Sequence, residues 1–140
     1  AKSKNILATS KILLENFNGR VPQTQKELMT LPGVGRKSSD IVMRFVWGQP
    51  NIAVDTHVFR LLWRLGWADS LDEGKASITV NKTTPDKFKY GAHMWLITHA
   101  KSVCKSHSPG CDDCVIDAVC DKRDIKIPKS KLRINQKTPI

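Results

Sequence analysis

No stretch of this 140-residue sequence is apolar for long enough to cross a membrane, and the first ten residues (AKSKNILATS) contain no apolar signal core. We therefore expect a soluble, intracellular protein with no membrane partner. The sequence also lacks internal repeats and any run of alternating polar and apolar residues typical of a strand. Because 40% of its residues are hydrophobic, the chain can still bury a core.

Acidic side chains are scarce, since 13 Asp and Glu stand against 23 Lys and Arg and give a net charge of +10. This excess indicates a polyanionic partner, of which nucleic acid is the commonest, although charge alone does not separate DNA from RNA or an anionic surface. Residues 121–140 hold seven of the basic side chains and only two acids. That segment is interpreted as a basic C-terminal tail, either solvated and flexible or in contact with phosphates.

Cysteine is absent until Cys104, which is followed by Cys111, Cys114 and Cys120 in the pattern C-x6-C-x2-C-x5-C. Four thiolates in so short a segment favour one metal centre over two disulfides, because no secretory signal accompanies them. Structural zinc sites usually have two short cysteine pairs, whereas the cage of a [4Fe-4S] cluster tolerates unequal arms. The spacing therefore favours an iron–sulfur cluster and leaves zinc as the alternative.

Apolar residues at helical spacing account for nearly all of the sequence, so the predicted fold class is all-α. Asn18 and Gly19 predict the end of the first helix, and Thr24 precedes a short second one. Another short helix is predicted between Asp72 and Asn81. The apolar faces of three longer helices are predicted to be Ile6, Leu13, Leu14 and Phe17; Val58, Phe59, Leu62 and Leu65; and Phe88, Ala92, Trp95, Leu96 and His99.

The next helix after the short second one is predicted from about Arg36 to Trp47. Its inward-facing residues are expected to be Ile41, Val42 and Phe45, which share one side of the helix. Gly48 follows as the residue that ends it.

The segment before this helix reads Leu-Pro-Gly-Val-Gly-Arg-Lys over residues 31–37. Two glycines around one apolar residue allow a sharp turn and a close approach of the backbone to another surface. The turn opens into a helix N-terminus, whose free amides and dipole attract phosphate. A Gly-Val-Gly turn alone is also typical of an ordinary helix–helix connection. The full segment between two amphipathic helices indicates a helix-hairpin-helix that binds DNA backbone without reading sequence.

Together with this segment, three further motifs make the sequence resemble the endonuclease III branch of the helix-hairpin-helix DNA glycosylases. They are Val-Asp-Thr-His-Val-Phe-Arg at residues 54–60, Met-Trp-Leu-Ile-Thr-His at residues 94–99, and the cysteine pattern. All four occur in the order found in that family and together extend over nearly the whole chain. The resemblance implies the helix-hairpin-helix glycosylase fold, with a [4Fe-4S] cluster on the four cysteines.

The resemblance also implies roles for single residues, with the catalytic lysine at Lys37 and the catalytic carboxylate at Asp55. Lys37 is expected to attack C1′ of a damaged nucleotide and form a Schiff base, while Asp55 stabilises positive charge on the sugar as the base departs. The alternatives are that Lys37 binds phosphate and that Asp55 caps a helix. Contacts with DNA are expected from Leu31, Gly33, Val34, Gly35, Arg36, Lys105 and His107.

The expected function is that of a base excision repair DNA glycosylase with AP (β-elimination) lyase activity on oxidised pyrimidines. Its partner would be double-stranded DNA with a damaged or abasic site. The alternatives are a non-catalytic duplex-DNA-binding remnant and a zinc-binding nucleic-acid module. Such a protein is expected in the cytoplasm with the nucleoid of a prokaryote, or in the nucleus or mitochondria of a eukaryote.

Three regions are predicted along the chain. Residues 1–100 form a helical region with the hairpin and the catalytic residues, residues 101–120 form the cluster loop, and residues 121–140 form the basic tail. Members of the family carry further N-terminal helices, so the fold is expected to be N-terminally truncated. Apolar faces that meet those helices, including some of Ile6, Leu13 and Phe17, are expected to be exposed and covered by self-association or by a complementary chain.

Overall fold

Six helices joined by short connections form the part of the protein that the structure describes. The structure is a computed structural model, and it describes residues 1–125, so most of the predicted basic tail lies outside that range. No strand occurs among residues 1–125, and the predicted all-α class is confirmed. None of the described helices is long and apolar enough to span a membrane. The elements are α1 (Lys2–Phe17), α2 (Gln25–Leu28), α3 (Arg36–Phe45), α4 (Thr56–Leu65), α5 (Glu73–Thr83), α6 (Asp86–Ser102) and a 3₁₀ turn (Asp117–Val119).

The ends of the helices follow from turn and capping residues in the sequence. Asn18 (φ 52°) and Gly19 (φ 72°) take left-handed conformations that end α1, and Gly48 (φ 64°) does so after α3. At the start of α2, the Thr24 hydroxyl accepts a hydrogen bond from the Glu27 amide at 3.2 Å. That hydroxyl also donates to the Glu27 carboxylate at 2.7 Å, so the pair forms a cap close to a capping box.

The core lies where α4, α5 and α6 meet the connecting segment of residues 49–55. Burial of this apolar surface is the main stabilising contribution to the fold. A second, smaller cluster of Leu61, Ala100 and Cys104 joins α4 and α6 to the start of the cysteine loop. The buried members of the main core are Ile52, Val54, Val58, Leu62, Ala68, Ala76, Val80 and Ala92.

The inward side of α3 differs from the prediction. Phe45 is 57% exposed, and Ile41 and Val42 are only half-buried. The buried residues of α3 are instead the polar Ser39 and Asp40. The prediction of Phe45 as a core residue was wrong because the side of α3 that faces inward carries Asp40, whose partners are polar groups from α2, α5 and the 49–55 segment.

Helix α1 lies at the edge of the fold and has no fully buried residue. Ile6, Leu7 and Leu14 are 66%, 73% and 70% exposed, so an apolar side of α1 is open to solvent. This exposure agrees with the prediction for Ile6, whereas Leu13 and Phe17 are half-buried. The helix contacts the hairpin through the Thr9 hydroxyl, which donates to the Pro32 carbonyl at 3.2 Å.

Candidate functional site

The hairpin of residues 31–35 is a tight turn closed by a hydrogen bond from the Val34 amide to the Leu31 carbonyl at 3.0 Å. Gly33 has φ 79°, and a Cβ atom there would lie 2.5 Å from Nδ2 of Asn5 on α1. The predicted close approach of the backbone is therefore present at Gly33. Leu31 is 5% exposed, so its side chain anchors the hairpin in the protein and offers little surface to a ligand.

The N-terminus of α3 presents free backbone amides directly after the hairpin. Gly35 is the N-cap and gives no side-chain hydrogen bond, and the first amide bonded back to it is that of Ser39, at 2.9 Å. Within residues 1–125, the amides of residues 36–38 have no hydrogen-bond partner. Such an arrangement can hold an anion, because the free amides and the positive end of the helix dipole point the same way.

The two cationic side chains at this helix start are placed differently. Arg36 is half-buried, and its Nη1 donates to Oε1 of Gln25 on α2 at 3.2 Å. Lys37 is exposed and has no hydrogen bond or ion pair to any residue that the structure describes. Its amine is therefore available to a ligand bound at the hairpin.

Asp55 is the N-cap of α4. Its Oδ1 accepts hydrogen bonds from the amides of His57 and Val58, both at 2.9 Å. The capping role considered for this residue is thus confirmed, and it occupies only one of the two carboxylate oxygens. Lys37 and Asp55 are absent from the ion pairs found among residues 1–125.

The four cysteines are all free thiols and line one cavity below the C-terminal ends of α4 and α6. Among residues 1–125, no group of three or more His, Cys, Asp or Glu side chains is arranged to hold a single metal ion. The thiols surround a space whose remaining walls are largely apolar. The apolar lining residues include Leu61, Leu65, Val103, Pro109, Ile116 and Ile125.

Arg64 organises this cysteine loop, and the sequence analysis missed it. The side chain is 7% exposed, and its Nη1 donates to the Lys105 carbonyl at 2.7 Å and to Sγ of Cys104 at 3.4 Å. Nη2 donates to the Ser106 carbonyl at 3.2 Å. A sequence signal existed, because Arg64 lies three residues after the core residue Leu61 and therefore on the buried side of α4.

Other groups around the thiols fit a site for bound metal. Burial raises the pKa of the Cys111 and Cys120 thiols, so their thiolates need a compensating positive charge of the kind that iron supplies. Nε2 of His99 lies 3.5 Å from Sγ of Cys114. The donor set and its apolar surroundings therefore fit a cluster held by four cysteines. The predicted DNA contacts Lys105 and His107 are both exposed on the loop between the first two cysteines.

Solved structures place this fold in a known class. The chain matches a thermostable thymine-DNA glycosylase with a TM-score of 0.73 over 86% of this chain and 57% of that one, at 21% identity. That likeness defines the shared fold, a helix-hairpin-helix glycosylase fold. A trapped endonuclease III–DNA covalent intermediate matches with a TM-score of 0.80 and 36% identity, again over 86% of this chain and 57% of that one.

Curated proteins show the same likeness. Endonuclease III of Buchnera aphidicola is 42% identical over 130 residues, which cover 90% of this chain and 59% of that protein. Endonuclease III of Escherichia coli is 39% identical over 124 residues, which cover 89% of this chain and 59% of that protein. No protein-family model matches the chain. The chain is a homologue of endonuclease III, and it spans about three fifths of the length of these relatives.

Proposed function

We propose that this chain is the hairpin- and cysteine-bearing part of a base excision repair DNA glycosylase with AP lyase activity on oxidised pyrimidines. The observation that carries the proposal is the exposed amine of Lys37, which has no hydrogen bond or ion pair among residues 1–125 and lies one residue beyond the start of α3. Homology to endonuclease III supports the same function. We propose that the protein works wherever the cell keeps its DNA, namely the nucleoid, the nucleus or the mitochondria.

The proposed reaction begins when the Lys37 amine attacks C1′ of the damaged nucleotide. The base leaves with the electrons of the glycosidic bond, and Asp55 stabilises the positive charge that develops on the sugar. Ring opening gives a protonated imine, and loss of a proton from C2′ then expels the 3′ phosphate and nicks the strand. Water hydrolyses the imine and regenerates the amine. A covalent intermediate of endonuclease III with DNA has been trapped in a matched structure, which supports this route.

DNA binding is proposed to come mainly from backbone amides. The free amides of residues 36–38 would hold a phosphate, while Gly35 leaves the approach to them open. The exposed side chains of Lys105 and His107 would add contacts from the cysteine loop. Because these groups recognise phosphate, the binding they give is independent of sequence and depends on salt.

We further propose that Cys104, Cys111, Cys114 and Cys120 hold a [4Fe-4S] cluster. Thiols placed around a shared apolar space support a polynuclear group over a single zinc ion. Anaerobically purified protein is expected to be brown, with about four iron atoms per chain and little zinc. Colourless protein with stoichiometric zinc would instead support the zinc-binding alternative.

Borohydride trapping on duplex DNA with an abasic site tests the proposed chemistry. Hydride from borohydride reduces the imine to a stable secondary amine, so an active chain gives a covalent protein–DNA adduct. The adduct is expected to disappear in Lys37→Gln and to persist in the control Lys82→Gln, which removes an exposed lysine of α5. Duplex binding by Lys37→Gln is expected to change by less than about threefold, because the proposal directs this amine at C1′ of the sugar and leaves phosphate binding to other groups.

Three other outcomes would contradict parts of the proposal. Duplex binding without any adduct would select the non-catalytic DNA-binding alternative. Loss of adduct and loss of binding together in Lys37→Gln would make this lysine a phosphate contact. An adduct that persists in Lys37→Gln would show that a different amine is the nucleophile.

A further inference from the structure

The segment that leads to Asp55 is held by side chains from other helices. Asn81 of α5 accepts from the Ile52 amide at 2.7 Å and donates to the Ile52 carbonyl at 2.9 Å. The buried His93 of α6 places its Nδ1 2.8 Å from the Ala53 carbonyl. These contacts fix the backbone two and three residues before Asp55, but neither comes from the helix that carries Lys37.

Asp40 and Asn51 make a side-chain connection to that helix, beside a backbone bond from the Gln49 amide to the Met43 carbonyl. Nδ2 of Asn51 donates to Oδ1 of Asp40 at 2.9 Å. Asp40 lies three residues after Lys37 on α3, so the two are held on one rigid helical turn. Asn51 lies four residues before Asp55 on the connecting segment. This hydrogen bond therefore joins the element of the proposed nucleophile to the element of the proposed carboxylate.

The environment of the bond makes it strong. Asp40 is 3% exposed, and its Oδ1 also accepts from Nε2 of Gln25 at 2.6 Å. The Ser77 hydroxyl donates to its Oδ2 at the longer distance of 3.4 Å. Oδ1 of Asn51 is buried without a hydrogen-bond partner among residues 1–125, so the carboxylate alone orients this amide. Hydrogen bonds to a charged group in such surroundings are stronger than neutral bonds in water.

We propose that Asp40 and Asn51 are positioning residues whose hydrogen bond sets the placement of Lys37 relative to Asp55. The inference rests on the proposed function and deepens it, because it assigns to two residues the geometry that the lyase reaction needs. Neither side chain is proposed to touch DNA. Their effect is to keep the amine and the carboxylate at the separation from which both can act on one sugar.

Four single variants of the cluster-loaded chain, and the double variant Asp40→Ala with Asn51→Ala, test the role of this bond. Asp40→Ala and Asn51→Ala remove it from opposite sides. Asp40→Asn retains an Oδ1 that can accept from both Asn51 and Gln25, so it is the conservative rescue. Ser77→Ala is the matched control, since it removes a bond to the other oxygen of Asp40 and leaves the Asn51 bond in place.

The first readout is the rate of borohydride trapping at saturating abasic duplex. Asp40→Ala and Asn51→Ala are expected to trap about tenfold more slowly, since a misplacement of about 1 Å can cost up to about a hundredfold. The double variant is expected to be no slower than either single variant, because both remove the same bond. The trapping rates of Ser77→Ala and Asp40→Asn are expected to stay within about twofold of that of the parent protein. The duplex affinity of every variant is expected to stay within the same range.

The second readout is hydrogen exchange, which does not depend on activity. The amides of Ile52, His57 and Val58 are bonded to Asn81 and Asp55, so they report the order of the connecting segment. These amides are expected to exchange at least about fivefold faster in Asp40→Ala and Asn51→Ala. Their exchange rates are expected to be unchanged in Asp40→Asn and Ser77→Ala. Unchanged exchange in Asn51→Ala would overturn the inference, even if Asp40→Ala did not fold.

The two proposals fail in different ways. Absence of an adduct from the parent protein would end the proposed lyase function, and hydrogen exchange would then decide whether Asp40 and Asn51 order the segment. A parent protein that traps, with Asp40→Ala and Asn51→Ala trapping equally fast, would retain the function and refute the positioning role. Independent, additive losses in the double variant would also refute it.

Discussion

The two glycines of the hairpin differ in what the absent Cβ allows. Gly33 has a left-handed conformation and touches Asn5, so the fold itself requires glycine at this position. Gly35 has φ −94°, and nothing lies within 4 Å of the place that a Cβ would occupy. The fold therefore tolerates a side chain at Gly35, and a requirement for glycine there would come from a bound ligand.

Gly35→Ala is accordingly expected to fold normally and to bind duplex DNA about tenfold more weakly, because a methyl group would separate phosphate from the amides of α3. Fluorescence anisotropy with a labelled duplex at fixed salt measures the affinity, and thermal unfolding measures the stability. Gly74→Ala, on α5, is the control for a glycine replacement away from the hairpin. Equal affinity of both variants would mean that DNA does not approach this turn closely.

Asp40 also has a measurable effect on stability. Burial raises the pKa of its carboxyl above the usual value of 3.8, against the lowering effects of Asn51, Arg36, Ser77 and Gln25. The folded state therefore holds the proton more tightly than the unfolded state. Its contribution to the free energy of unfolding consequently falls as pH rises from about 3.8 through the folded-state pKa, and stays constant above it.

Asp40→Asn is expected to remove this pH dependence and to raise the unfolding temperature more at pH 7 than at about pH 4, where a larger fraction of the carboxyl is protonated. Thermal unfolding of the variant and the parent protein at matched pH values measures the difference. Asp69→Asn, which removes an exposed carboxylate, is the control. A gain that is the same at every pH, or a loss at pH 7, would contradict the assigned effect of burial.

At the scale of the elements, α4 combines a structural and a chemical role in its first residue. Asp55 caps the helix through Oδ1, and its charge is the proposed source of electrostatic stabilisation. The helix then buries Val58, Leu61 and Leu62 in the core and directs Arg64 to the cysteine loop. The proposed carboxylate and the proposed cluster are therefore attached to opposite ends of one helix.

Asp55 variants separate these two roles. Asn caps helices about as well as Asp, so Asp55→Asn is expected to unfold at nearly the same temperature but to release damaged bases at least about a hundredfold more slowly. Asp55→Ala loses the cap as well and is expected to be less stable by about 1 kcal/mol. Single-turnover base release and thermal unfolding give the two quantities. Normal base release by Asp55→Asn would leave this residue with the capping role alone.

At the scale of the whole molecule, one apolar side of α1 is open to solvent. Ile6, Leu7 and Leu14 are exposed on one helix, and the chain spans about three fifths of the length of its curated relatives. Exposed apolar area of this kind is covered by association in solution. We therefore expect the isolated chain to self-associate as its concentration rises.

Light scattering during size-exclusion chromatography measures this association. Charged residues on the open side, in Leu7→Lys with Leu14→Lys, are expected to give a monomer at concentrations where the parent protein associates. Leu71→Lys is the control, since Leu71 is 72% exposed but lies outside α1. A parent protein that stays monomeric throughout, or a Leu71→Lys variant that dissociates equally, would show that this side of α1 does not mediate association.

The sequence by itself determined the helices, the turns and the positions of the motifs, because these depend on local properties. Apolar spacing, the Asn18-Gly19 pair and the hairpin glycines act within a few residues, and each predicted helix was found. The four cysteines and their spacing were likewise visible from residue types alone. The assigned roles of Lys37, Asp55 and the cluster ligands stay predictions that the experiments above address.

The tertiary structure decided which side of α3 is buried and how the site is held. Phe45 was predicted inside because it is apolar, yet Ser39 and Asp40 occupy the interior. Asp40 can be buried because its carboxylate accepts hydrogen bonds from residues up to 37 positions away in the chain. The Asp40–Asn51 bond and the Arg64 contacts arise in the same way, from chain segments 11 and about 40 residues apart. Periodicity identifies an apolar surface, but the partners of a buried polar group are set only when the chain has folded.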